Sequence, residues 1–246
     1  MKKFELTSEF ITNIFGTKLF RIKALVEFGD VKAGDLGGYI EKEENLDHDG
    51  DAWVSGNAQV YGNARVSGDA RVSGNAWVYG DARVYGDARV YGDAWVSGNA
   101  QVSGNARVSG DARVYGDARV SGDAQVYGNA RVSGDARVSG DARVSGDAWV
   151  YGDAWASGNA QVSGDADYAY AHGFGSINRT TTFFRLKDGG VGVRCGCFYG
   201  TLQEFRDKVR ETHGETKTAE LYLDLAALME KRFRRAENEQ KTEEES

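Results

Sequence analysis

Residues 80–97 read GDARVYGDARVYGDAWVS, which is one six-residue unit written three times. The same unit, Gly-Asp/Asn-Ala-x-Val-Ser/Tyr, fills residues 50–163 as 19 successive copies without an insertion. Its valine is replaced once, by Ala156, and 20 of the 33 glycines hold the same position in the unit. A repeat this regular predicts that every unit is one copy of the same structural element.

Each unit alternates between two kinds of side chain. Because neighbouring side chains of an extended segment point to opposite faces, alanine and valine point inward, whereas Asp/Asn, x and Ser/Tyr point outward. Glycine then stands at a corner, where a positive φ is needed, and Asp or Asn suits the turn position after it. The unit is a short strand plus a corner, and successive units wind into a parallel β-solenoid. The absence of proline agrees, because ladder amides must donate.

Composition excludes several other classes. Collagen needs proline, and a transmembrane helix needs far more than the longest apolar run, Leu225 to Met229. Two cysteines make no disulfide framework, and no signal-peptide core follows the first methionine, so we expect a soluble cytoplasmic protein. The net charge of −7 is spread along the chain, which argues against a nucleic-acid-binding surface.

An aliphatic residue with a small residue two positions before it resembles the hexapeptide repeat of left-handed parallel β-helices, over residues 50–167. The resemblance implies a left-handed, triangular coil of three units, or 18 residues. A flatter coil of two units, or 12 residues, satisfies the same alternation. The 18-residue coil aligns Tyr61, Tyr79, Tyr115 and Tyr151 in one outward column and Trp77, Trp95 and Trp149 in the next, which favours the triangular form.

The chain divides into three parts. Residues 1–49 are predicted to be an N-terminal cap with degenerate coils, with strands at 2–6 and 18–28 and a polar connector at 42–49. Residues 50–167 are the solenoid. Residues 168–246 are predicted to be a β-hairpin (180–186 and 191–199) followed by two helices (201–211 and 218–235) and a frayed acidic tail. The fold class is mainly β, with a small ββαα module at the C-terminus.

The outward columns offer two interpretations. In one, Arg and Asp ladders pair across the surface while aromatic side chains stack along their columns. In the other, the aromatic columns form a strip that binds sugars, bases or a protein. The candidate binding residues are then Trp77, Trp95, Trp149, Tyr61, Tyr79, Tyr115 and Tyr151.

Reactive side chains gather in the C-terminal part. Cys195 and Cys197, two apart on a predicted strand, are read as buried apolar residues, with zinc binding together with His213 or His172 as the weaker alternative. The run Thr180–Thr182 beside Arg179 is read as a polar strand edge or as an anion or phosphate site. Arg179, Thr181 and Arg185 are the binding candidates in this part. No catalytic residues and no cofactor are predicted.

Three functions of repetitive β-helices are disfavoured. Hexapeptide acyltransferases need a histidine base and a protruding loop, and residues 50–171 contain neither. Ice-binding solenoids need flat threonine ladders. DNA-mimicking repeats need a strongly acidic face, and here ten arginines interleave with the aspartates.

A second resemblance covers nearly the whole chain. The stretch Gly34-Asp35-Leu36-Gly37-Gly38-Tyr39-Ile40-Glu41 through Leu46, followed by the repeat, is similar to uncharacterised phage and prophage proteins, some of which are labelled polymer-forming or hexapeptide-repeat proteins. A C-terminal module that recurs in that group is similar to this chain at Gly175-Ser176, Arg179, Thr181-Thr182-Phe183-Phe184-Arg185, Cys195-Gly196-Cys197-Phe198, Gly200-Thr201-Leu202, Phe205 and Thr212-His213. The resemblance implies a mobile-element origin and supplies no catalytic residues.

These observations predict a non-enzymatic, phage-encoded scaffold or binding protein whose rigid solenoid presents a C-terminal recognition module. One alternative is an inhibitor or signal-nucleotide sponge that acts against a host antiphage defence system. Another is a virion structural or glycan-binding protein. The expected partner is a protein or small molecule, and the expected assembly is a homo-oligomer, with a trimer first. No membrane is expected to be involved. The expected location is the host cytoplasm, with the virion as the alternative.

Overall fold

The repeat forms 19 two-residue strands joined by nearly identical corners. The structure, a computed structural model, describes residues 1–174 and 179–244, without the side chains of Asp165 and of residues 235–244. The repeat strands are β4 (Trp53–Val54), β5 (Gln59–Val60), β6 (Arg65–Val66), β7 (Arg71–Val72), β8 (Trp77–Val78), β9 (Arg83–Val84), β10 (Arg89–Val90), β11 (Trp95–Val96), β12 (Gln101–Val102), β13 (Arg107–Val108), β14 (Arg113–Val114), β15 (Arg119–Val120), β16 (Gln125–Val126), β17 (Arg131–Val132), β18 (Arg137–Val138), β19 (Arg143–Val144), β20 (Trp149–Val150), β21 (Trp155–Ala156) and β22 (Gln161–Val162).

Each repeat strand pairs in parallel with the strands three units before and after it. Arg89, for example, pairs with Arg71 and with Arg107, 18 positions away on either side. The chain is therefore a parallel β-solenoid of about 7 turns with 18-residue coils, which confirms the triangular coil and excludes the 12-residue one. Three sheets form its faces. The first face contains β5-β8-β11-β14-β17-β20, the second β4-β7-β10-β13-β16-β19-β22, and the third β6-β9-β12-β15-β18-β21.

The inside of the coil is lined by alanine and valine alone over most of its length. From Ala52 to Val162, the inward residues of every unit are at most 1% exposed. Outward positions donate backbone hydrogen bonds along the axis, as from the Arg89 amide to the Ala106 carbonyl (2.9 Å) and from the Tyr91 amide to the Val108 carbonyl (3.0 Å). Apolar burial and inter-coil hydrogen bonds thus act on the same short strands.

The corners depend on glycine for two separate reasons. The corner glycines from Gly50 to Gly158 have φ between 58° and 73°, a conformation that L side chains rarely adopt. In addition, a Cβ on Gly98 would stand 3.0 Å from the backbone N and O of Gly116 in the next coil. The Asp/Asn residues that follow stack in columns, as where the Asn99 amide donates to the Asp117 carboxylate over 2.9 Å.

The N-terminal end is closed by a hairpin. Its strands β1 (Phe4–Thr12) and β2 (Lys18–Ala24) are antiparallel, and β3 (Leu36–Ile40) joins them to the first face. Tyr39 of β3 pairs with Gln59, 20 positions later, so this degenerate coil has two more residues than a regular one. The two extra residues lie between Leu46, which still pairs with Val66 at an offset of 20, and Trp53, which pairs with Arg71 at the regular offset of 18. A 3-10 turn at Glu43–Asn45 precedes them.

The hairpin strands differ from the predicted ones because their ends depend on tertiary contacts. β1 runs on to Thr12, and β2 ends at Ala24 rather than at residue 28. The outer strand β1 has a register shift between Leu6 and Phe10, where the Thr7 hydroxyl accepts the amide of Glu9. A bulge and carboxylates on an edge strand disfavour pairing with another sheet.

The C-terminal part is a four-stranded antiparallel sheet with two helices. After a 3-10 turn (Asp165–Asp167) come β23 (Tyr168–Phe174), β24 (Arg179–Arg185), β25 (Val191–Cys195), β26 (Phe198–Thr201), α1 (Leu202–His213) and α2 (Lys217–Glu244). We call residues 168–246 the C-terminal module. One face of its sheet covers the last coil, where Tyr168, Phe184 and Leu186 extend the solenoid core. The other face packs against the helices through Phe183 and Val193.

The module has two more strands than the predicted hairpin. The decaying repeat after residue 167 forms β23, and the predicted second strand is folded in two at Gly196, whose φ is +60°. A capping box of Thr201 and Glu204 begins α1, and the pKa of Glu204 is lowered because the Thr201 amide and hydroxyl donate to its carboxylate. The tail expected to fray is helical as far as Glu244.

Neither helix within residues 202–244 is both long enough and apolar enough to cross a membrane.

Two glycine substitutions distinguish the two reasons for glycine at the corner, the positive φ and the close approach of the next coil. Gly98 and Gly152 have nearly the same φ, +66° and +65°, but beyond Gly152 the nearest atom to an added Cβ is the Tyr170 hydroxyl at 3.7 Å. We expect Gly152→Ala to cost about 1–2 kcal/mol of unfolding free energy, from the backbone conformation alone. Gly98→Ala should cost about 1–3 kcal/mol more, because its methyl group meets the next coil. Equal losses in chemical denaturation would contradict the close-approach explanation.

Removing the C-terminal module tests its role as a cap. Deletion of residues 168–246 exposes the strand edges and core of the last coil, so we expect association that increases with protein concentration. Light scattering after size-exclusion chromatography measures it. A matched control lacks only residues 237–246 and should behave like the full chain. A module-deleted protein that stays as monodisperse as this control would show that the module is not needed as a cap.

Candidate functional site

An open pocket of about 440 Å³ lies where the sheet of the C-terminal module meets the end of the solenoid. We call it the junction pocket. The solenoid contributes Asp153 and Trp155, and the module contributes His172, Arg179, Thr180, Thr182, Arg194 and Gly196. Residues of the repeat and residues of the non-repetitive C-terminal part thus line the same pocket.

The alternation of β24 and β25 decides which side chains enter the pocket. Thr182 pairs with Arg194 across the two strands, and both side chains lie on the face toward the solenoid. The Thr182 hydroxyl accepts the backbone amide of Trp155 over 3.1 Å, so the sheet is hydrogen-bonded to the last coil at this point. Phe183, one residue along, is fully buried against the helices.

Trp155 forms one wall of the pocket and is covered on both sides. The guanidinium of Arg137, from the coil before, lies 4.6 Å from the ring centroid, and that of Arg194, from the module, lies 4.4 Å away. Cation–π contacts of this kind are worth about 0.5–1 kcal/mol at exposed sites, and they hold the flat guanidinium in one orientation.

Two guanidiniums in the pocket have no acceptor among the residues that the structure describes. Arg179 and Arg194 make no hydrogen bond or ion pair with any residue in the described ranges, and the Nε of Arg194 is buried without a partner. Arg179 lies against Gly196, where an added Cβ would stand 2.4 Å from its Nη1. The terminal Nη groups of these two arginines are therefore candidate donors to a ligand in the pocket.

The remaining polar groups of the pocket are His172, Thr180 and Asp153. The Nδ1 of His172 is 2.8 Å from the Thr180 hydroxyl and 3.9 Å from the Asp153 carboxylate. The lining therefore combines two arginines and a histidine with a single acid. This balance favours an anion.

A larger cleft, of about 690 Å³, lies at the N-terminal end between the connector and the third face. Arg65 and Arg83 on its floor are opposed by Glu43, Glu44 and Asp47 on its wall. Lys2 forms an ion pair with Glu43 and lowers the pKa of its carboxyl. The mixed charges favour neither an anion nor a cation, so we regard the junction pocket as the better-defined site despite its smaller volume.

Of the predicted anion-site residues, Arg179 lines the junction pocket, but Thr181 and Arg185 do not. Thr181 is fully buried on the helix side, where its hydroxyl donates to the Cys195 sulfur over 3.2 Å. Arg185 bonds the carbonyls of Gly189 and Phe233 and lies 3.7 Å from the Asp167 carboxylate. Strand alternation turns Thr181 and Arg185 away from the pocket and brings Thr180 and Thr182 into it. Arg179, at the first position of β24, reaches the pocket where Gly196 has no side chain.

The predicted metal candidates are not brought together. Within residues 1–174 and 179–244, three or more His, Cys, Asp or Glu side chains nowhere converge in a metal-binding group. β25 ends at Cys195, which is buried, while Cys197 lies past the turn at Gly196 and is exposed. The expectation that the two thiols share a strand face and are both buried is therefore wrong. His213 stacks on Tyr222, whose pKa is raised to about 12 by burial and by neighbouring Cys195.

The aromatic columns are largely stacked on themselves. The rings of Trp77 and Trp95 lie 5.1 Å apart at an interplanar angle of 2°, and those of Tyr61 and Tyr79 lie 5.1 Å apart at 4°. This separation leaves no room for another ring, which supports the ladder interpretation. Burial also raises the pKa of Tyr61 to about 12.

The C-terminal end of the aromatic columns is more exposed to solvent. Trp149 and Tyr151 are 42% and 40% exposed, with ring centroids 5.0 Å apart, and Tyr151 meets Tyr170 of the module edge to face. Tyr115 is half-buried between these two groups. Trp149 and Tyr151 are therefore the predicted aromatic candidates with the most accessible surface.

The predicted pairing of Arg and Asp ladders is wrong within the part of the chain whose side chains the structure describes. Of the ten repeat arginines, Arg71 alone has an ion pair there, and its partner is Asp30 of the N-terminal cap. The aspartates stand at corners and bond along their own columns, as Asp123 does with Asn105 over 2.9 Å. The arginines stand on the strands, and two of them stack on tryptophans, Arg113 on Trp95 at 4.8 Å and Arg137 on Trp155 at 4.6 Å.

Sequence reasoning missed Trp155 and Arg194 as partners and considered His172 only as a metal ligand. One signal was present. Trp155 precedes Ala156, the one position where the repeat valine is replaced. This replacement marks the unit at which the solenoid stops packing against another coil and packs against the C-terminal module.

The two cysteines should differ in reactivity. We expect a thiol reagent such as Ellman's reagent to modify one cysteine per native chain, Cys197, because Cys195 is 8% exposed and packed beneath the helices. Both should react after unfolding in guanidinium chloride. Cys197→Ser should abolish the native reaction, whereas Cys195→Ala should leave it intact. Rapid reaction of two thiols per native chain would contradict the burial of Cys195.

The family model described as the YdcK beta solenoid repeat matches the chain in seven overlapping or neighbouring stretches. They are residues 58–72, 64–80, 82–98, 100–113, 112–125, 124–140 and 136–152. No curated protein matches the chain. All seven stretches fall inside the solenoid, and the junction pocket lies beyond the last of them. The repeat region of this chain is therefore similar to the YdcK β-solenoid repeat.

Proposed function

We propose that the chain is a non-enzymatic scaffold and binding protein, in which the solenoid is a rigid rod and the C-terminal module is the recognition element. The observation that carries the proposal is the junction pocket, where two guanidiniums without acceptors face a common space. The pocket contains donors oriented for binding, and its geometry suggests holding a ligand rather than transforming it.

A recognition element is useful on a rod when it is held in a fixed orientation. Here the Lys187 amide donates to the Asn159 carbonyl over 3.2 Å, and Ala160 forms an antiparallel bridge with Leu186. Arg185 contacts both Asp167, in the turn before β23, and the Phe233 carbonyl of α2. These contacts, together with the shared apolar core, support a module that does not swing relative to the rod.

The finer proposal is that the protein is phage-encoded and acts in the host cytoplasm on a host protein or a small signalling molecule. Its support is the resemblance of the N-terminal and C-terminal segments to phage and prophage proteins. A glycan-binding or virion role is the second candidate, and the exposed pair of Trp149 and Tyr151 favours it, because paired aromatic rings suit sugar faces.

Self-association belongs to the same proposal, with a homotrimer as the expected assembly. Its structural support is the tip of the N-terminal hairpin, where Phe10, Ile14 and Phe15 are 47%, 75% and 66% exposed. Asn13 holds this tip rigid, since its side chain accepts the amides of Phe15 and Thr17. A fixed apolar tip is a surface that association would cover.

Partner capture tests the recognition role. Tagged full chain should retain one protein or small molecule from cells that express it, detected by mass spectrometry. We expect Arg179→Ala combined with Arg194→Ala to lose that partner while its circular dichroism and thermal midpoint stay unchanged. The matched control is Arg119→Ala combined with Arg143→Ala, which removes two exposed repeat arginines without ion pairs in the described chain. A partner lost equally by both double variants, or by neither, would contradict recognition at the junction.

A further inference from the structure

We infer that the junction pocket binds the phosphoryl end of a small ligand, either a phosphomonoester or free phosphate. This inference rests on the proposed recognition role of the module and adds to it the chemistry that is recognised. It follows from the donors, the charges and the one aromatic wall of the pocket.

The donors match an oxyanion better than a neutral ligand. A guanidinium presents five N–H groups in a fixed fork, and Arg179 and Arg194 have no acceptor in the described chain. A phosphate oxygen that bonds the terminal Nη groups of either arginine would supply the acceptor that the described chain does not. Hydrogen bonds from guanidinium to phosphate are charge-assisted and often bidentate.

The number of donors favours phosphate over carboxylate. A terminal phosphoryl group has three oxygens and carries a charge near −2 at neutral pH. Two guanidiniums match that charge. The Thr180 hydroxyl and the Nδ1 of His172, 2.8 Å apart, line the same pocket and would bond a third oxygen. A carboxylate carries one negative charge and would leave one of the two guanidinium charges uncompensated.

The charge surrounding the pocket agrees with this choice. The whole chain has a net charge of −7. Residues 164–200, which supply most of the pocket, have four basic and three acidic residues and are therefore net positive by one. The single acid of the lining, Asp153, lies 3.9 Å from His172. The two guanidinium charges thus outnumber the one carboxylate around a phosphate in this pocket.

Trp155 limits which part of a ligand is recognised. A nucleobase binds tryptophan by stacking on a free ring face. Both faces of Trp155 are already covered by Arg137 and Arg194. The pocket therefore has a site for the phosphoryl end but no stacking site for a base on this ring. Its volume of about 440 Å³ is within the usual range for small-ligand sites, roughly 300–1,000 Å³.

Isothermal titration calorimetry of the full chain tests the inference. The probes are inorganic phosphate, O-phosphoserine and adenosine, each at constant ionic strength. We expect saturable binding of one phosphate and one O-phosphoserine per chain, in competition with each other, and no heat from adenosine. If free phosphate is the natural ligand, the two affinities should be similar. If a phosphomonoester is the natural ligand, O-phosphoserine should bind more tightly.

Three variants assign the binding to the pocket. Arg194→Gln and Arg179→Gln should each raise the dissociation constant about tenfold or more, the loss of one charge-assisted interaction. Gly196→Ala should also weaken binding, because its methyl group displaces the Arg179 guanidinium. The matched control, Arg119→Gln, removes a repeat arginine outside the pocket and should bind as the unchanged chain does. Unchanged thermal midpoints show that the variants remain folded.

Two results would overturn the inference. One is the absence of saturable binding of both phosphate and O-phosphoserine. The other is binding that Arg194→Gln and Arg119→Gln weaken equally, which would indicate general attraction to arginines. Either result leaves the scaffold role standing if the captured partner still depends on Arg179 and Arg194. Conversely, phosphate binding without any captured partner would support the pocket and count against the broader role.

Discussion

Successive coils of the solenoid meet backbone to backbone at their corners, and only glycine permits that approach. An added Cβ at Gly98 would stand 3.0 Å from the next corner, and the same holds within a few tenths of an ångström at most other corners. The contact keeps coils in register and close enough for inter-coil hydrogen bonds of about 2.9 Å. Every outward position is consequently stacked on its equivalent 18 residues away, so each face consists of columns.

The coil was predictable because the features that form it are local. Alternation fixes which residues point inward, and glycine with a following Asp or Asn fixes the corner. The number of units per coil depends instead on how corners close in three dimensions, and therefore alternation left 12 and 18 residues open. The handedness of the coil also depends on how the corners close in three dimensions, and the left-handed coil stays a prediction. The Arg–Asp pairing failed for a related reason, because residues two apart on the outside stand on a corner and a strand, in different columns.

The junction pocket was less predictable because its sheet is buried on both faces. Phe183 and Phe184 are both fully buried, one against the helices and the other against the last coil. In a half-exposed strand, alternating apolar residues identify the buried face. In β24 both faces are apolar, so the pattern does not show which face packs against the solenoid. Which face meets the solenoid decides whether Thr181 and Arg185 or Thr182 and Arg194 share a pocket, and that depends on where residues far apart in the sequence pack.

Within a perfect repeat, outward side chains have mainly copies of the same few residue types beside them, and such columns stack or repel in the same way along the whole rod. New combinations arise where the repeat ends. At β21 the valine becomes Ala156 and β24 packs across the last coil, so Trp155 has a repeat arginine on one side and Arg194 of the module on the other. Neither the solenoid nor the module alone could hold that guanidinium flat beside Arg179. Specific binding by this molecule is therefore expected where its regularity stops, and the long regular part positions that site at a fixed distance from the N-terminal hairpin.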